Sequence, residues 1–144
     1  MKVQIKVKKL HPEAKVPTYG TPGASGADLY ALDSAVIEPG TTRLVKTGVA
    51  FEIPRGYEIQ VRPRSGLSLK TGVRVANAPG TVDSDYTGDC SVILTNTGSE
   101  IFVINKYDRI AQAVMCPVIQ MDLVDTDTLS NTERGEKGFG STGS

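Results

Sequence analysis

The chain has no tryptophan, one histidine and two cysteines among its 144 residues. So few thiols cannot build a disulfide framework, and a single imidazole excludes a His-rich metal cage. Neither sign of charge is in excess, since 16 Lys and Arg balance 16 Asp and Glu. A protein that coats nucleic acid normally carries a basic surplus, so no nucleic-acid partner is expected. No apolar run approaches the ~18 residues of a spanning helix, and the N-terminus reads without the apolar core of a signal peptide. No Gly-Lys-Ser/Thr occurs, which excludes a P-loop. The expectation is one soluble, cytoplasmic domain with no membrane partner.

What is present is β-forming. Val, Ile and Thr number 15, 9 and 14, about a quarter of the chain, and branched side chains suit a pleated surface. Val3, Ile5 and Val7 alternate with polar residues, as do Tyr57, Ile59 and Val61, and both stretches read as half-buried strands. Arg43–Phe51, Val73–Ala76, Cys90–Thr95, Ile101–Asn105 and Ile110–Met115 are further strand candidates. Turn residues divide many of these runs: Pro39-Gly40, Pro54-Arg55-Gly56, Pro79-Gly80 and Thr97-Gly98. Many short strands without a long amphipathic segment indicate an all-β barrel or jelly roll. Pro117 inside an apolar run marks an edge or a bulge. Cys90, Cys116, Met115 and Met121 read as core residues.

Residues 1–121 therefore read as the β domain and 122–144 as a polar extension. Arg134–Ser144 holds four glycines and cannot bury enough apolar surface to order itself, yet it carries Phe139. It reads either as a frayed end or as a mobile arm that closes over a flat ligand.

Three polar segments look like chemistry. In Ser25–Ala31, Asp28 could hold a hydrated metal or cap a turn. In Arg62–Ser68, Ser65 can begin a short helical turn whose free N–H groups, with Arg64, would attract an anion; a plain capped turn is the alternative. In Ala76–Gly88, Asn77 offers both a donor and an acceptor for a base edge. Asp83 reads either as a general base or as one more turn residue. In a regular strand Asp83 and Tyr86 would face opposite ways, so a site using both needs a turn at Ser84-Asp85.

Taken in order, the segments SGADLYA (25–31), RPRSGLSLKTG (62–72), NAPGTVDSDYTGD (77–89), DRIAQ (108–112) and RGEKGFGSTG (134–143) resemble the five motifs of the trimeric dUTPases. The resemblance covers nearly the whole chain beyond residue 20. It implies a distorted jelly-roll barrel, assembled as a homotrimer with active sites at subunit interfaces and a flexible Gly-rich C-terminal arm over them. It implies hydrolysis of dUTP to dUMP and pyrophosphate, which limits uracil incorporation into DNA and supplies dUMP for thymidylate synthesis. Carried over by position, Asp83 would activate the attacking water. Asn77 would read uracil with backbone groups at Gly80 and Val82, and Tyr86 would lie against the deoxyribose, leaving no room for a 2′-hydroxyl. Arg64, Ser65, Gly66 and Gln112 would bind phosphates, and Asp28 would orient water on Mg²⁺. From the arm, Arg134 would meet the γ-phosphate and Phe139 would stack on uracil, with Gly140, Ser141 and Thr142 as further contacts. A dCTP deaminase-like enzyme and a nucleotide-sensing trimer without turnover are the rival readings. Against the first, a deaminase would activate water with a glutamate where this chain presents Asp83.

Overall fold

A computed structural model describes residues 1–143; Ser144, the last residue of the expected arm, lies outside them. The strands run in chain order as β1 (Lys6–Lys9), β2 (Thr18–Tyr19), β3 (Ala27–Tyr30), β4 (Ala35–Ile37), β5 (Thr42–Val45), β6 (Val49–Glu52) and β7 (Tyr57–Arg62). A short helix, α1 (Ser65–Lys70), follows, and then β8 (Val73–Val75), β9 (Gly80–Val82), β10 (Val92–Asn96), β11 (Phe102–Ile104) and β12 (Arg109–Pro117). All pairings are antiparallel. The largest sheet is ordered β2-β3-β12-β7-β9; the others are β5-β10-β8, β1-β6 and β11-β4. The fold is all-β. Among the described residues these ladders do not close into a barrel; four sheets instead enclose one apolar core that includes Leu29, Ile37, Val92, Leu94, Ile104 and Ile110.

Local chemistry explains where the strands stop. The alternation at Val3, Ile5 and Val7 yields a strand only from Lys6 onward. Lys6 is level with Glu52, so continuing the ladder would set Gln4 against Pro54, which has no N–H to give. The run Arg43–Phe51 is divided by a short connection, Lys46–Gly48, in which Gly48 takes φ +73°. A Cβ on Gly48 would come within 2.9 Å of the Ala14 Cβ, so glycine is required twice over. Pro117 ends β12 where β3 no longer flanks it, a local edge, and the register shifts between Arg109 and Ala111 farther back along the same strand. Asn96 is buried but satisfied: its amide donates to the carbonyls of Ile37 (2.9 Å) and Glu100 (2.7 Å) and accepts from the Gly98 N–H.

Beyond β12 the chain changes character. Val118 N–H still donates to the Gly56 carbonyl at 2.8 Å, after which no strand or helix forms as far as residue 143. Ile119, Met121, Leu123, Val124 and Leu129 are 78–95% exposed. Met121 is therefore not a core residue of its own chain. Cys90 is fully buried, whereas Cys116 is half-buried.

Candidate active site

Two groups of the candidate residues come together, at different places on the large sheet. The first is built by the segment joining β8 to β10. A turn at Ala76–Pro79 leads into β9, which pairs with β7 through Gly80 opposite Val61 and Val82 opposite Ile59. A Cβ on Gly80 would stand 3.2 Å from the Val61 Cβ and 3.3 Å from the Asn77 amide nitrogen, so the missing side chain lets Asn77 fold back over the strand. A turn then forms at Ser84-Asp85, with the Tyr86 N–H donating to the Asp83 carbonyl at 3.1 Å. This is the turn that the joint use of Asp83 and Tyr86 requires. The result is a pocket of about 250 Å³ whose wall includes Asn77, Val82, Asp83, Tyr86, Leu44 and Ile93. On its other side Asp83 borders a larger cleft, about 800 Å³, shared with Arg55, Glu58, Asp85 and Gln120. Asp83 thus stands on the ridge between two depressions, reachable by water.

The second group gathers at the opposite end of the sheet. Asp28 pairs in register with Gln112, and Gln112 with Arg62. Asp28 lies within β3, not in a loop, and its residue is only 9% exposed. Its carboxylate caps no turn. One oxygen meets Arg64 Nε at 3.4 Å and the other meets Arg109 Nη1 at 3.7 Å. Arg64 Nη1 donates to the Arg109 carbonyl, and Gln112 Nε2 to the Pro63 carbonyl, each at 3.4 Å. Gly26 permits this approach, because a Cβ there would sit 2.8 Å from the Gln112 side-chain oxygen Oε1. Ser65 and Gly66 open α1 and are exposed; Arg64 holds the cap position, with no side-chain cap bond, so the first N–H groups of α1 are left without a side-chain acceptor. Two guanidiniums, an amide and these N–H groups suit a polyanion. Arg109 was not singled out from sequence, although DRIAQ contains it; its contact with Asp28 emerges only when β12 lies beside β3.

The two groups are far apart within one chain. Asp83 follows Val82, which pairs with Ile59, and so lies level with Glu58, whereas Asp28 lies level with Arg62. With strand spacings of ~4.8 Å and a rise of ~3.3 Å per residue, that puts them roughly 19 Å apart. The tail residues join neither group. Phe139, at φ +51°, is fully exposed, and Arg134 Nε donates to the Lys137 carbonyl of its own segment. Gly140, Ser141 and Thr142 are likewise exposed in successive turns. Near the hairpin, burial pushes the Cys90 thiol up to about 12, so it is held as an unreactive thiol.

A pocket offering an amide and a phenol, a carboxylate on its rim, and a separate arginine-lined anion cluster together suit a nucleotide, on an all-β scaffold. The dUTPase family model matches residues 12–143, and the chain belongs to that family. The deoxyuridine 5'-triphosphate nucleotidohydrolase of Nautilia profundicola is 52% identical over 141 residues, covering 98% of this chain and 99% of the relative. That of Hydrogenobaculum sp. is 51% identical over 142 residues, with the same coverages. Among solved structures, the dUTPase of Staphylococcus bacteriophage 80alpha with dUPNHPP superposes with a TM-score of 0.92 at 29% identity, covering 99% of this chain and all of that one.

Proposed function

We infer that this chain hydrolyses dUTP to dUMP and pyrophosphate. The observation that carries the reading is the convergence of Asn77, Val82, Asp83 and Tyr86 on one pocket, in a chain of the dUTPase family. Asn77 suits uracil, whose edge carries both donors and acceptors, with backbone groups of Gly80 and Val82 beside it. Tyr86 closes the sugar end. Asp83, exposed on the ridge, takes the proton of the attacking water. Arg64, Gln112 and the N–H groups at Ser65 and Gly66 supply donors for phosphate oxygens.

Magnesium fits this donor set as a passenger on the triphosphate. No group of three or more His, Cys, Asp or Glu side chains capable of caging a metal occurs among the described residues. Mg²⁺ typically keeps several waters and binds through one or two carboxylates plus substrate phosphates. Asp28, held by two arginines, would orient one such water. The ion would offset phosphate charge and fix the triphosphate's shape.

A nucleotide cannot bridge roughly 19 Å from Asp83 to Asp28 and be attacked at its α-phosphorus. We therefore propose a homotrimer in which the pocket of one chain faces the anion cluster of its neighbour, each protomer being a distorted jelly roll. The exposed apolar side chains of Ile119, Met121, Leu123, Val124 and Leu129 supply surface for such contacts. The segment from Arg134 then acts as a flexible arm, bringing Arg134 to the γ-phosphate, Phe139 to uracil, and Gly140, Ser141 and Thr142 to the phosphates. The test is pyrophosphate release from dUTP beside ammonia release from dCTP. Turnover of dUTP with no ammonia from dCTP is expected; the reverse would make the chain a deaminase, and binding without either would make it a sensor.

A further inference from the structure

The Tyr86 ring is held by its neighbours more firmly than an exposed tyrosine requires. Its hydroxyl donates to the Asp89 carbonyl at 2.9 Å, which bends the side chain back over its own turn. The ring then lies against Gly88: a Cβ there would come within 2.7 Å of the Tyr86 hydroxyl oxygen and 2.8 Å of Cζ. Gly88 does not adopt a left-handed conformation, so its lack of a side chain matters for space and not for backbone strain. Asp89, in turn, is bonded into the body. One carboxylate oxygen accepts from the Thr47 N–H (3.2 Å) and the Ser91 hydroxyl (2.7 Å); the other accepts from the Gly48 N–H (2.7 Å). The β5–β6 connection that receives it is itself anchored, because Thr47 is buried and its hydroxyl donates to the Cys90 carbonyl, and Gly48 abuts Ala14.

We propose that Gly88 and Asp89 are positioning residues for sugar selectivity: Asp89 ties the hairpin to the β5–β6 connection, and Gly88 leaves the space in which the Tyr86 ring rests against it. The proposal rests on the reading of Tyr86 as the sugar gate. The physical reason for such bracing is that one added hydroxyl is a small difference, and discrimination against it stays near ~10²-fold unless the gate cannot yield. A ring free to swing would make room for a 2′-hydroxyl at little cost. A carboxylate with three donors is a firmer anchor than an amide, since Asn would turn an NH₂ group against at least one of them.

The experiment uses the full-length enzyme labelled with 3-fluorotyrosine, the residue-86 resonance being assigned by its loss in Tyr86→Phe. Gly88→Ala and Asp89→Asn are compared with wild type for that resonance and for the ratio of kcat/KM on dUTP to kcat/KM on UTP. Both variants should shift the resonance and lower the ratio on the order of tenfold, with dUTP turnover falling less than the ratio. Tyr86→Phe adds no atom to the site and deletes only the bond to the Asp89 carbonyl; it should lower the ratio by a smaller factor, and it keeps the proposal testable if Gly88→Ala folds poorly. Wild-type ratios in Gly88→Ala, Asp89→Asn and Tyr86→Phe, alongside a collapsed ratio in Tyr86→Ala, would overturn the positioning role and leave the gate standing. An unchanged ratio in Tyr86→Ala itself would remove the gate, and the proposal with it.

Discussion

The hairpin from Asn77 to Asp89 and the tail from Thr126 to Gly143 are both short, polar and mostly exposed, yet they are held in opposite ways. The hairpin is tied to the body through β9, through the Asp89 carboxylate on Thr47 and Gly48, and through Cys90, whose N–H donates to the Val49 carbonyl at 2.8 Å. The hydrogen bonds of the tail are internal among the described residues: Thr126 with Thr128, Gly135 with Thr132, and Arg134 with Lys137. A pinned segment can carry geometry before ligand arrives, which suits a base and a gate. An untethered one has its ordering cost offset only on binding, which suits a cover that must also open. The family's reaction, as proposed for this chain, asks for both.

The sharpest way to break this contrast is on the pinned side. Asp83→Asn should keep nucleotide binding and lose turnover by ~10²–10⁴-fold, because an amide cannot take the water's proton. Near-native turnover would remove Asp83 from that role. On the untethered side, truncation before Arg134 should leave the fold intact, read by circular dichroism, and cut turnover on the order of 10²-fold. If the tail is only a frayed end, both readings stay at wild type. Phe139→Ala should reproduce part of that loss, on the scale of the ~1–3 kcal/mol that base–aromatic stacking contributes elsewhere. A smaller effect tests the body alone. Asn96→Ala strips donors from two carbonyls and should lower unfolding stability by about 1–3 kcal/mol in denaturant, with kcat unchanged.

The smallest effect concerns pH. The Lys106 ammonium hydrogen-bonds the Glu13 carboxylate and holds Glu13 below its ordinary value, while Glu13 raises Lys106. Folding therefore favours charged Glu13. Its contribution is present above the unfolded carboxylate range and is lost as pH falls through the lowered folded value; that of Lys106 is lost only as pH rises through its raised one. The difference in Tm between wild type and Glu13→Gln should be slight at neutral pH and vanish in acid. Glu13 is exposed and Lys106 partly so, which leaves the pair open to screening by solvent, and a large effect at any pH would contradict that placement.

How much of this was legible beforehand differs by region for physical reasons. Strands with strict alternation, such as β7, and runs bounded by turn residues, such as β10 and β11, declared themselves. So did the Ser84-Asp85 turn, which the opposite facing of Asp83 and Tyr86 demanded. The strand β3 did not, because Asp28 interrupts its apolar run and reads as a turn residue until Arg64 and Arg109 are seen beside it. A charge is compatible with burial only when its partners are known, and these lie far along the chain. The part played by Gly88 was invisible for the same reason: nothing local says that a ring rests on it. The roughly 19 Å between Asp83 and Asp28 follows from register across four strands, which no local pattern encodes.

That separation is the centre of the account, and subunit mixing tests it most directly. Asp83→Asn and Arg64→Ala chains, each inactive alone, are co-expressed with different tags and the mixed oligomers isolated by tandem purification. If each site takes its base from one chain and its phosphate cluster from the next, some sites in the mixed species carry both intact halves. In a trimer every mixed ring holds such a site at one of its three interfaces, so turnover of the purified mixed species should return to about a third of wild type. Mixed oligomers as inactive as their parents would mean that one chain supplies both halves, and the shared site would be wrong.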